Sequence, residues 1–210
     1  MALVSLDSIK LNLDGLELSD HSENPRVWYA PDGDGLVVNF FDLPPDIPQA
    51  LPTEQALVAF YANLDGDTRW VETYQLEVAG LPAVRTIVKY PQQPSGMTYV
   101  GSLTIPRREF SFVIQAVCQE RGMTGMREAM LAARDGISDS VEFDNPKYDS
   151  EFPTHPVSRT RKWLDQLETS VTVDEAVRQS VPFPLPGVDA PIREEEAPGW
   201  GQKLRSWLGF

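Results

Sequence analysis

Between Trp70 and Cys118 the chain is written in period-two alternation of apolar and polar residues, and this constrains its interior to β-sheet before any other consideration. Trp70, Tyr74, Leu76 and Val78 fall on one side of an extended segment, and Gly80-Leu81-Pro82 breaks it. Val84, Val88 and Tyr90 resume the alternation, with Arg85 and Lys89 on the opposite, exposed side. After a turn-rich connection from Pro91 to Gly96, Met97, Tyr99, Leu103 and Ile105 alternate with Thr98, Ser102 and Thr104; Phe110, Phe112, Ile114, Ala116 and Cys118 follow beyond Pro106. Consecutive strands with short connections pair as antiparallel hairpins, so these segments predict a central antiparallel sheet with one half-buried face.

The flanks are read the same way. Leu11, Leu13, Leu16 and Leu18, interrupted by Gly15, suit a strand or a turn-broken lead-in. Arg26 to Tyr29 reads as a strand, Asp32-Gly33-Asp34-Gly35 as a tight hairpin, and Leu36, Val38 and Phe40 as its return. Thr53 caps an amphipathic helix reaching Leu64, with Leu57, Phe60, Tyr61 and Leu64 at helical spacing. Thr124 caps a second helix whose inner face is Met126, Met130, Ala133 and Ile137, bracketed by Gly122 and Gly136. An acidic, Pro-interrupted loop from Ser138 to Pro156 leads to a helix around Ser158 to Thr169, and Thr172-Val173-Asp174-Glu175 is a capping box for a short helix ending near Ser180.

The segment Ala79 to Tyr90, AGLPAVRTIVKY, joins two strands through a Gly-x-Pro-Ala turn and puts an arginine on the second. Together with the order helix, long hairpin strands, Phe110 to Val117 and helix, it resembles the PsbP-like group, which includes a photosystem extrinsic protein, a nuclear-transport factor and bacterial DcrB-type domains, some of them secretion-effector chaperones. The resemblance covers roughly Arg26 to Ile137 and is one of fold, so it carries no site residue onto this chain. It implies an α+β fold, an antiparallel β-sheet flanked by helices in a PsbP-like α/β/α sandwich, with a C-terminal helical extension. The domain organisation expected is 1–181 as the α/β domain with its helical extension from 138, 182–199 as a Pro-rich acidic linker beyond the core, and 200–210 as an amphipathic tail helix.

Asp and Glu number 31 against 18 Lys and Arg, a formal charge of −13, so nucleic acid and anionic lipid surfaces are unfavourable ligands. Cys118 is the only cysteine, which excludes an internal disulfide and a multi-cysteine zinc site and points to a reducing compartment. With neither a signal-like start nor a long apolar run, the expectation is cytoplasmic. His21 and His155 are the two imidazoles, and neither sits in a metalloprotease or nucleophile-elbow motif; His155 reads either as a rigid packing residue or as a catalytic or metal group. Asp32 and Asp34 read as turn chemistry, because the remaining oxygens of a calcium loop are missing. Asp135, Asp139, Glu142, Asp144, Asp149 and Glu151 form a solvated acidic loop or a site for a cation or basic partner. Arg107-Arg108 and Arg159, Arg161 and Lys162 read as a hairpin end and a solvated helix face, or as docking groups. No phosphate-binding glycine loop is present, so no cofactor is expected.

These readings favour a non-enzymatic protein-binding accessory module, a bacterial chaperone or adaptor by family analogy. The alternative is a small-ligand binder or hydrolase with a pocket between sheet and helices. The candidate partner-binding residues are Arg85 and Lys89 on the sheet, and Trp200, Leu204, Trp207 and Leu208, an apolar stripe at helical spacing in the tail. Such a stripe predicts a protein partner or self-association. Lys203 and Arg205 beside it suggest membrane-surface contact, which Glu194-Glu195-Glu196 oppose.

Overall fold

The computed structural model describes residues 4–19, 23–63 and 66–190. Its strands are β1 (Ile9–Lys10), β2 (Glu17–Leu18), β3 (Arg26–Tyr29), β4 (Gly35–Phe41), β5 (Arg69–Val78), β6 (Leu81–Pro91), β7 (Met97–Pro106), β8 (Ser111–Gln119) and β9 (Thr172–Val173). The helices are α1 (Glu54–Ala62), α2 (Met126–Asp135), α3 (Ser140–Phe143), α4 (Pro156–Ser170) and α5 (Glu175–Arg178). Strands β2 to β8 form one antiparallel sheet in the order β2-β3-β4-β8-β7-β6-β5, while β1 and β9 pair separately. The fold is therefore α+β around a large antiparallel sheet, and β5 to β8 are the meander that the alternation predicts.

Residues directly opposite each other on paired strands share a face, so the register sorts the sheet. One face carries Leu36 and Val38 of β4, Phe112, Ile114 and Ala116 of β8, Leu103 and Ile105 of β7 and Ile87 of β6, all buried and, Ala116 apart, clustered in the main core with Val157, Leu164 and Leu167 of α4. The helix lies directly on the sheet at Gly101, where a Cβ would stand 2.5 Å from Thr160 Cγ2 and 2.7 Å from Leu164 Cδ1. The opposite face carries Val84, packed with Ile47 and with Leu57 of α1. Thr53 caps α1 as expected, its side chain accepting from the Ala56 N–H at 3.2 Å.

A strap, residues 4–16, lies over the first face beside Trp28 and Val38. Leu6 and Ile9 are buried there, and Leu11, Leu13 and Leu16 are partly so. Ser5 caps its single 3-10 turn, and β1 ties it to the segment after α4 through Ile9 opposite Val173.

Four sequence expectations are corrected. A bulge between Trp70 and Glu72 shifts the register, so Trp70 pairs with Val88 on the α1 side and donates its indole N–H to Thr73, while Tyr74 faces the Arg85 side. The start of the proline-rich segment is not a linker: Phe183 and Leu185 are buried against Leu57 and Val84, and Ala50 donates to the Pro184 carbonyl at 3.1 Å. The core thus extends past residue 181. Thr172-Val173 forms β9 rather than half of a capping box, and Asp174 stands at the N-cap of α5 without a side-chain hydrogen bond. Finally, the N-cap of α2 is Gly125 in a left-handed conformation rather than Thr124, and the helix is rotated, burying Arg127 and Leu131 and leaving Met126 and Met130 outside.

Candidate functional site

The rotation of α2 has an electrostatic cause. Arg127 is fully buried and donates to the carbonyls of Phe143 and Asn145 at 2.8 and 2.9 Å, and to Asp149 and Ser158 at 3.0 Å. Those bonds satisfy the guanidinium and fold the loop before α4 beneath it; turning the methionines inward would carry Arg127 off these acceptors and leave the Phe143 and Asn145 carbonyls without their donor, a greater cost than exposing the methionines.

The same logic runs along the interface between α4 and the sheet. Arg85 and Lys89, expected on an exposed face, are 3% and 8% exposed and point into it. This placement corrects the sequence reading. Arg85 donates to Asp165 of α4 at 2.6 Å and also reaches Glu168; burial disfavours its cation, yet these two carboxylates outweigh that and raise its pKa. Lys89 donates to Asp144, which also accepts from the Tyr99 hydroxyl at 2.7 Å; burial first, and the Asp144 charge second, hold that phenol above its ordinary pKa, so it stays a donor. Arg161 bridges Glu72 at 2.8 Å and Asp149 at 2.9 Å. At the far end, Asp34 is 1% exposed and accepts from Arg159 at 2.9 Å, Arg121 at 3.2 Å and the Trp163 indole at 3.3 Å.

The acidic series is consequently split between roles. Asp144 and Asp149 are internal partners of cations, Asp135 and Glu151 hold Arg134, and Glu142 holds Lys147. Arg107 is likewise internal, bonding the Ser180 side chain at 2.7 Å and the Ser180 carbonyl.

His155 is the N-cap of α4, its Nδ1 accepting from the Val157 N–H at 3.3 Å. That bond leaves the proton of a neutral imidazole on Nε2, which stands 3.6 Å from Glu128 Oε1. Glu120 completes a group of potential metal ligands within 4.8 Å of one another. Its two oxygens already accept from the backbone N–H groups of Gly125 at 2.6 Å and Met97 at 3.1 Å. Because metal-bound histidines donate through the other ring nitrogen and here that nitrogen accepts, a metal on Nε2 would break the helix cap. The three residues suit a polar corner joining β8, α2 and α4. Burial would raise the Glu128 pKa, but the His155 imidazole outweighs it and the group is held below the usual range.

Cys118 is fully buried. Burial, then the Asp34 charge, pushes its thiol up to about 12. At neutral pH the thiolate fraction is negligible, so a water-soluble disulfide reagent should leave Cys118 unmodified in the native protein and label it stoichiometrically in denaturant. Rapid native labelling would contradict this placement.

Outside this interior, some large apolar side chains are exposed. Met126 is 45% and Met130 53% exposed, one turn apart on α2, with Met123 at 73% in the turn before the helix and Val141 of α3 at 51%. This surface is missed by the sequence reading, which turns Met126 and Met130 inward. The tail residues Trp200, Leu204, Trp207 and Leu208 lie outside the described residues, as does His21. Among the described residues no helix is long and apolar enough to cross a membrane.

No family model matches the chain, and no curated protein matches its sequence. Among solved structures it is similar to LpqN of Mycobacterium tuberculosis, involved in cell envelope biogenesis, at 15% identity and a TM-score of 0.39, over 79% of this chain and 82% of LpqN. It is similar to the cyanobacterial PsbP of Synechocystis at 12% identity and a TM-score of 0.41, over 80% of this chain and 88% of PsbP. A protein of Bacteroides thetaiotaomicron shares 6% identity at a TM-score of 0.38 over 57% of this chain, which spans 41% of that protein's length. A solved PsbP thus stands among the chains of similar structure, alongside the PsbP-like resemblance drawn from Ala79 to Tyr90.

Proposed function

We propose that this protein is a non-enzymatic accessory module, of chaperone or adaptor type, that receives an apolar segment of a protein partner on the methionine face of α2. The observation that carries the reading is the exposure of Met126 and Met130, one turn apart on α2, with Met123 just before the helix and Val141 of α3 exposed as well. A methionine surface repacks around differing apolar shapes because the side chain is unbranched and polarizable, and contiguous exposed apolar area is what partners cover. The protein carries a net charge of −13, so the complementary partner is an amphipathic helix with basic flanks. Support against an enzyme comes from the interior: the arginine and carboxylate groups along α4 neutralise one another, and His155 is committed to a cap. The lone, sheltered thiol suits a reducing compartment such as the cytoplasm. The tail residues Trp200, Leu204, Trp207 and Leu208 are a second candidate contact in this reading.

The double variant Met126→Glu, Met130→Glu tests it. Both side chains are about half exposed, so stability should change by no more than about 0.5 kcal/mol per site. Partners that copurify with the intact chain from its native lysate should be lost from the variant with an unchanged melting temperature. Retention of every partner by the variant would overturn the methionine face as the recognition surface.

A further inference from the structure

The strap leaves a gap. Between it and the sheet is a cavity of about 210 Å³, lined by Leu6, Ile9, Leu11, Leu13, Trp28 and Val38, with Lys10 and Arg26 also on its wall. Its floor is core: Trp28 and Val38 are 8% and 1% exposed. The two cations differ from the floor, since the Lys10 and Arg26 side chains are 74% and 35% exposed, which puts their charges at the solvent side of an apolar chamber.

We propose that this cavity binds a single-chain amphiphile with an anionic head, such as a free fatty acid, with the chain against Trp28 and Val38 and the carboxylate between Lys10 and Arg26. The site is separate from the methionine face and independent of the reading above. Three observations converge on this ligand class. The wall is mainly apolar and open to solvent, so an acyl chain laid on it removes apolar surface from water. The volume is below the roughly 300–1,000 Å³ of pockets for drug-sized molecules, which matches one acyl chain rather than a ring system. In a chain of net charge −13, two cations on the wall of an apolar cavity select for an anion. Their present partners are weak competitors: Lys10 stands 3.8 Å from Asp174, and Arg26 bonds Asp7, itself 77% exposed. Such solvent-screened pairs exchange readily for a carboxylate whose tail gains burial. Entry is from solvent, to which the cavity is open, while the strap is held by the pairs Ile9–Val173 and Lys10–Thr172, by the Asp174 N–H on the Ser8 carbonyl at 2.9 Å and by Arg26 on Asp7.

The test is titration calorimetry of the full chain with decanoate at low salt, alongside decanol and decyltrimethylammonium. Decanoate should bind with one-to-one stoichiometry, and the cationic amphiphile at least tenfold more weakly. The double variant Lys10→Glu, Arg26→Glu should weaken decanoate at least tenfold while changing decanol less than twofold. Asp7→Asn, which releases Arg26, should tighten decanoate, and Leu11→Trp, which fills the chamber, should abolish both. Since Leu11→Trp can disturb the strap, the wild-type complex supplies a check free of variants: NOEs from the decanoate chain to the Trp28 indole and Val38 methyls. Absence of saturable binding, binding without those NOEs, or equal binding of the anionic and cationic amphiphiles would overturn the proposal.

Discussion

Replacing Asp144 by alanine should cost about 3–5 kcal/mol of folding stability, read as a fall in the denaturation midpoint at unchanged slope. Asp144 is 2% exposed and accepts from both the Lys89 ammonium and the Tyr99 hydroxyl, while its backbone carbonyl accepts from Arg161 at 2.6 Å. Alanine keeps the carbonyl but removes the carboxylate that compensates a buried cation, and that loss dominates. Asp144→Asn should fall between, because the amide oxygen still accepts from Tyr99 without supplying charge. Lys89→Met combined with Asp144→Leu should recover most of the deficit, since a buried pair replaced by apolar groups of similar size is often neutral or stabilising. A loss below about 1 kcal/mol for Asp144→Ala would mean that the ammonium reaches water.

Gly101→Val should be destabilising at or above the upper end of the roughly 1–3 kcal/mol expected for overpacking. The sign is informative. Gly101 is interior to β7, and on an uncovered strand valine would be favoured over glycine by up to about 1 kcal/mol. Here the new Cβ would stand 2.5 Å from Thr160 and 2.7 Å from Leu164, so α4 must lift or tilt. Lifting α4 also lengthens the ion pairs of Arg85 and Arg161. The milder pair Gly101→Ala with Thr160→Ser removes the clashing methyl and should regain part of the loss, while stabilisation by Gly101→Val would remove α4 from the position described.

The contrast between what the sequence discloses and what it hides follows sequence separation. The strands β5 to β8, the β3–β4 hairpin and the Thr53 cap rest on neighbours a few residues apart, and all of them are legible. The burial of Arg85 and Lys89 is not, because alternation assigns charged residues to solvent unless a partner is known, and their partners Asp165 and Asp144 lie far along the chain. A trace of it was present: Arg161, Asp165 and Glu168 recur at i, i+4 and i+7, a charged stripe that α4 turns toward the sheet. Asp34 shows the same limit, because Asp-Gly chemistry accounts for the hairpin but not for Arg159 closing on it from α4. In α2 the period is right and the phase is wrong, since a single arginine with buried acceptors outweighs two methionines.

The pairing of Ile9 with Val173 has a temporal meaning. A ribosome releases the strap long before its anchor, so until Val173 emerges the leucines of the strap have no place to settle and the β3–β4 surface waits uncovered. Contacts of such long sequence separation form late and slowly. The newborn chain should therefore be vulnerable to aggregation and proteolysis until residue 173 clears the exit tunnel, and a ligand seated beneath the strap would act as a latch on its closure.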